Sequence, residues 1–167
     1  MLKRDYKKEL KHLYKPSAKK VVLVDVPAMN FLMIDGQGDP NSSQAFQEAV
    51  AALYPLAYTL KFMVKKGETG VDYGVMPLEG LWWSDDMATF SVDKKEDWQW
   101  TLMIMQPEYI SEDMVATARE EVARKKNPSA LSQVRFASFQ EGRAAQTLHV
   151  GPFTEGCGSS VLMLTYL

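Results

Sequence analysis

The chain has 167 residues, 46% of them apolar, and a formal net charge of −2. That length suits one domain, or two small repeats sharing a core, and the near-neutral charge gives no general reason to expect nucleic-acid binding. Apolar runs are broken by charge or proline before membrane length, the basic start lacks the apolar core of a secretion signal, and Cys157 is the single cysteine. A cytoplasmic protein with no membrane segment and no disulfide framework is expected.

Residues 1–20 are rich in lysine, with Tyr6, Leu10, Leu13 and Tyr14 at helical spacing. They read as a basic helical arm stopped by Pro16, packing a thin apolar stripe on the domain. The β-branched run at 21–26 predicts a strand ended by Pro27, and residues 30–35 predict a second. Gly36-Gln37-Gly38-Asp39-Pro40 then turns the chain. No third glycine follows at the dinucleotide-fingerprint offset, so this is a turn into a helix.

That helix is expected over 43–66, with Phe46, Val50, Leu53, Leu60 and Val64 on one face. Pro55 lies inside it and predicts a kink or short break. Gly67 follows Lys65 and Lys66 as a helix stop. Residues 71–75 and 78–83 predict two strands joined by Met76-Pro77 into a hairpin. Residues 84–95 read as an acidic connector with one weak strand.

Residues 98–105 predict a strand apolar on both faces, hence central and covered on both sides. Ser111 is a good N-cap for a helix that ends in Arg124-Lys125-Lys126 and is closed by Asn127-Pro128. Residues 134–139 and 144–150, either side of Gln140-Glu141-Gly142-Arg143, predict another hairpin. The order favours an α+β sandwich with helices on one face of an antiparallel sheet.

Chemistry concentrates in Met76-Pro77-Leu78-Glu79-Gly80-Leu81-Trp82-Trp83. In a strand, Glu79, Leu81 and Trp83 share one face, and Leu78, Gly80 and Trp82 the other. A carboxylate beside aromatic walls suits a flat organic molecule, including a cationic one, although the same pattern fits a core strand whose glutamate reaches solvent. His12, His149 and Cys157 lack metal-site spacing, no phosphate loop is present, and no metal or cofactor is expected. The remaining candidates are aromatic or acidic: Tyr54, Tyr58, Tyr73, Glu79, Trp82, Trp83, Trp98 and Trp100.

Five segments carry a resemblance: Phe31-Leu32-Met33-Ile34-Asp35-Gly36, Ala57-Tyr58-Thr59-Leu60-Lys61-Phe62, the glutamate–tryptophan stretch, Trp100-Thr101-Leu102-Met103-Ile104-Met105-Gln106-Pro107 and His149-Val150-Gly151-Pro152-Phe153. The chain resembles the GyrI-like small-molecule-binding family, in its stand-alone bacterial branch without a DNA-binding domain. The resemblance implies tandem βαββ (SHS2-type) repeats around a cleft for bulky aromatic, hydrophobic or cationic compounds, as in multidrug-binding effector domains. It also implies a hydrolase alternative, since some stand-alone members open the cyclopropane ring of DNA-alkylating natural products. Members of this branch continue after the Gly-Pro-Phe turn with a helix and two more strands, which residues 156–167 do not resemble, so the second repeat is expected to be truncated and its carboxylate missing.

Three segments are thus expected: the arm at 1–20, a GyrI-like domain at 21–153 and an atypical tail at 154–167. The ligand cleft is assigned to Tyr54, Tyr58, Tyr73, Glu79, Trp82, Trp83, Trp100 and Met103. If there is turnover, Glu79 is the acid or base, assisted by Tyr58 or Tyr73. The exposed sheet edge of a truncated repeat invites self-association through 161–167. The rival expectation is a protein-interaction module that inhibits a DNA-processing enzyme, docking through its basic arm and acidic connector.

Overall fold

The computed structural model describes residues 2–85, 94–149 and 161–166, of which His149 and 161–166 by backbone alone. Strand β1 (Leu2–Arg4) is followed by the short helices α1 (Tyr6–Glu9) and α2 (Lys11–Tyr14). Then come β2 (Val22–Gln37), α3 (Gln44–Lys66), β3 (Val71–Tyr73), β4 (Glu79–Trp83) and β5 (Gln99–Gln106). The chain closes with α4 (Glu112–Lys125), β6 (Arg135–His149) and β7 (Val161–Tyr166). The fold is α+β. Its main sheet has the hydrogen-bonded order β4-β5-β2-β6-β7, and β1 pairs with β3 separately, in parallel.

Two compact units divide these residues, one of 1–4 with 30–138 and the other of 5–29 with 139–167. In the first, α3 starts where the Ser43 hydroxyl accepts from the Phe46 amide at 3.3 Å. It stops where the Gly67 amide donates to the Met63 carbonyl at 2.8 Å. Ala49, Leu53, Leu56, Leu60 and Val64 are buried along one stripe, the periodicity that makes this segment helical. The helix runs from Gln44 to Lys66 without the break that Pro55 predicts. Ser111 caps α4 in the same way, accepting from the Met114 amide at 3.3 Å. Arg119 then ties α4 to the turn before β6, donating to the carbonyls of Leu131 and Val134.

Strand β5 is the axis of this unit. It lies between β4 and β2, both antiparallel to it, and every residue from Trp100 to Gln106 is buried. A strand apolar on both faces is stable only when covered on both, and β5 is so covered.

The second unit contains α1 and α2, which bury Tyr6 and Leu13. The buried Gln146 amide donates to the Leu13 carbonyl, and the Leu148 amide to the Ser17 carbonyl at 3.1 Å. Leu13 and Ser17 are thereby tied to β6, whereas Leu2–Arg4, expected in the helical arm, form a strand. Strand β7 pairs antiparallel with β6, from Ala144 opposite Tyr166 to His149 opposite Val161. Among the described residues no helix is long and apolar enough to cross a membrane.

Three local expectations are corrected. Residues 22–37 form one strand, not two, because Pro27 lies beyond the β5 pairing, which begins at Asn30, and its missing amide breaks no bond there. Residues 135–149 are likewise one strand instead of a hairpin. Gly142 takes a φ of 76° inside it, as a glycine in a bulge does, without reversing the chain. Residues 71–83 do not pair as a hairpin either: β3 pairs with β1, and β4 with β5. The weak strand expected within 84–95 falls largely outside the described residues.

Candidate functional site

The register of β4 on β5 sorts the candidates onto two faces. Trp82 is opposite Trp100 and Gly80 opposite Leu102. On this face the Phe46 ring of α3 stacks on Trp82 with centroids 6.1 Å apart and meets Trp100 edge-on at 5.4 Å. Trp98 closes the cluster 5.6 Å from Trp82. The Trp100 indole donates to the Gly38 carbonyl at 3.2 Å, so its one polar atom is satisfied although the residue is 0% exposed. Trp100 is core, and Trp82 is half-buried against it.

The other face carries Glu79 opposite Met103, Leu81 opposite Thr101 and Trp83 opposite Gln99. Strand β2 continues each row with Met33, Asp35 and Gln37. Glu79, Leu81, Trp83 and Gln99 are half-buried there, beside the buried Met103, Met33 and Thr101. The Trp83 indole donates to Gln99 Oε1 at 3.1 Å. In the row of Leu81, the Thr101 hydroxyl donates to Asp35, and Arg135 grips the same carboxylate through Nη1 and Nη2 at 2.5 and 3.0 Å. Burial of the Asp35 carboxyl works upward on its pKa, but the hydrogen bonds from Arg135 and Thr101 and the guanidinium charge outweigh it and hold it below the ordinary carboxylate value.

The tyrosines sit elsewhere. Tyr54 and Tyr58 are one turn apart on α3 with ring centroids at 6.4 Å, and Tyr58 is 48% exposed. Tyr73 is 2% exposed and meets Tyr109 edge-on at 6.0 Å. Burial, and then the neighbouring Tyr109, push the Tyr73 hydroxyl well above the ordinary phenol range, so it keeps its proton. Of the eight residues assigned from sequence, the structure thus groups Glu79, Trp83 and Met103 on one face and Trp82 with Trp100 on the opposite one.

Gln99, Thr101, Asp35 and Arg135 had no place in that assignment. Gln99 and Thr101 were detectable, since they share the odd parity of Met103 along β5. Asp35 and Arg135 meet only through the tertiary fold. Among the described residues no three His, Cys, Asp or Glu side chains gather as a metal site would need.

The chain is thus an α+β domain whose sheet sets one tryptophan pair against α3 and a half-buried carboxylate and second indole on the other face. The chain is a member of the GyrI-like small molecule binding domain family, whose pattern matches residues 19–164. Solved structures agree. An uncharacterized conserved protein from Listeria innocua is 42% identical with a TM-score of 0.81, over 90% of this chain and 74% of that one. A hydrolase of the same organism, encoded by lin2189, is 43% identical with a TM-score of 0.81, over 92% of this chain and 74% of that one. A further solved structure, of a hydrolase from Listeria innocua, is 42% identical with a TM-score of 0.76, over 90% of this chain and 76% of that one. No curated protein matches the chain.

Proposed function

We propose that the domain binds planar, hydrophobic, cationic small molecules on the face of β4 and β5 that carries Glu79 and Trp83. The observation behind this reading is the separation of the two adjacent indoles. Trp82 is committed to packing, whereas Trp83 and Glu79 are half-buried on the opposite face, with Met103 beside Glu79. The indole face attracts a flat cation, the carboxylate balances its charge, and Met103 adapts to ligands of different outline. Tyr58 and Tyr73 are not needed for this contact. Titration with ethidium, followed by tryptophan quenching, tests the reading. Saturable quenching that weakens in Glu79→Gln and Trp83→Ala supports it, and no quenching up to the solubility limit rejects it.

A second reading is hydrolysis of a strained electrophile, favoured by the 42–43% identity to two solved structures of hydrolase from Listeria innocua. Glu79 would then activate water for attack while the aromatic wall holds the substrate in line. Incubation with a cyclopropane-bearing alkylator and mass spectrometry for the water adduct tests it. Product that disappears in Glu79→Gln places turnover above simple binding, and product that survives the substitution assigns the chemistry to another residue.

A further inference from the structure

Strand β4 ends its pairing at Trp83 opposite Gln99, and the chain then leaves the sheet through Ser84 and Asp85. Asp85 nevertheless reaches back. Its carboxylate accepts from the Gln99 side-chain Nε2, and the Oε1 of the same amide accepts the Trp83 indole N–H at 3.1 Å. The Gln99 amide is thereby used at both ends. A carboxylate acceptor determines which end carries the nitrogen, so the oxygen can only face the indole. Polarisation of the amide by the Asp85 charge also strengthens the bond its oxygen accepts.

We propose that Gln99 is a positioning residue for ligand binding: held by Asp85, it locks the Trp83 indole plane so that the ring face is presented for stacking. This inference rests on the small-molecule reading above. Its physical basis is preorganisation. A half-buried tryptophan free to rotate loses rotamer entropy when a flat ligand stacks on it, and one already held by its N–H loses less. The hydrogen bond occupies the indole edge and leaves the π face for the ligand. Glutamine is suited to the task because it accepts from the indole while donating to a carboxylate. Leucine offers neither bond. Glutamate could accept from the indole, but it would repel Asp85.

The test uses the whole protein labelled with 5-fluorotryptophan, with the Trp83 resonance assigned by Trp83→Phe. Two monovalent cations are titrated, planar ethidium and non-planar tetrabutylammonium. In Gln99→Leu the Trp83 fluorine resonance is expected to shift or broaden. Ethidium affinity should fall about two- to tenfold, the change that one intramolecular hydrogen bond carries. Tetrabutylammonium affinity should stay constant, which a general loss of structure would not allow. Asp85→Ala, at an exposed position, should move both readouts the same way by less, and it serves if Gln99→Leu does not fold. An unmoved Trp83 resonance, or an equal loss for both cations, overturns the positioning role while leaving the binding site intact. Failure of the wild-type protein to bind either cation overturns the small-molecule reading, and this proposal with it.

Discussion

Trp100 lies across Gly36. A Cβ on that glycine would fall far inside contact distance of the indole ring, only 2.6 Å from Cζ3. Both residues are partners in the β2–β5 ladder, so neither backbone can retreat without breaking pairing. Trp100 is itself pinned by Phe46 on one side and by its bond to Gly38. Gly36→Ala is therefore expected to destabilise the fold by ~1–3 kcal/mol, the usual cost of overpacking. Urea denaturation measures it. Gly74→Ala, where an added Cβ meets nothing within 4 Å, is the control and should be close to neutral.

The adjacent indoles should separate cleanly by phenotype. Trp82→Ala removes a ring that packs on Phe46 and Trp98 and should cost ~3 kcal/mol of stability. Trp83→Ala loses one hydrogen bond and half-buried surface, and should cost about 1 kcal/mol. Ligand quenching should be lost in the second variant and retained in the first wherever it remains folded. Parallel denaturation and dye titration of the two proteins check both halves.

The Asp35–Arg135 pair predicts a pH signature with a definite sign. Because the folded-state pKa of Asp35 is lowered, its contribution is fully present above the unfolded carboxylate value of about 3.9 and is lost as pH falls through the still lower folded value. The stability difference between wild type and Asp35→Asn should thus be constant from pH 7 to 5 and shrink towards pH 3. Both side chains are partly exposed, so the plateau should be only ~0.2–1 kcal/mol. A difference that grows on acidification would contradict the assignment.

Glu141 predicts the opposite trend. Burial raises its pKa, and one carboxylate oxygen is buried with no hydrogen-bond partner among the described residues. A folded carboxyl that holds its proton more tightly than the unfolded one stabilises the native state in acid and loses that advantage as pH rises. Glu141→Gln should accordingly be more stable than wild type at pH 7 and converge with it near pH 4. Thermal melts at the two pH values measure the gap.

Removal of the α4 cap gives a simple calibration. Ser111→Ala deletes the acceptor of the Met114 amide and should cost ~1 kcal/mol, with no effect on ligand quenching.

Periodicity and capping made the two long helices legible in sequence. Ser43, Gly67 and Ser111 mark ends that the structure places within a residue. The two-sided apolar pattern of β5 likewise revealed a central strand. The face alternation of β4 was readable too, but separating Glu79 from Trp100 needed the register of β4 on β5, which no single strand carries. Pairing partners were the least legible. Nothing around Val71 indicates that Leu2 will be its neighbour, and Pro27 and Gly142 look like chain breaks because local pattern does not show which side of a strand is free of hydrogen bonds.

Strand β2 hydrogen-bonds to β5 from Asn30–Gln106 to Gln37–Gln99, so the register closes only after a long excursion of the chain. On a ribosome adding ~5–20 residues per second, the apolar run Phe31-Leu32-Met33-Ile34 emerges several seconds before the strand that pairs with it. Such a segment, β-prone and uncharged, is what chaperones hold and what neighbouring nascent chains join. Yield of native protein should therefore depend on translation speed and chaperone supply more than on the final stability of the sheet.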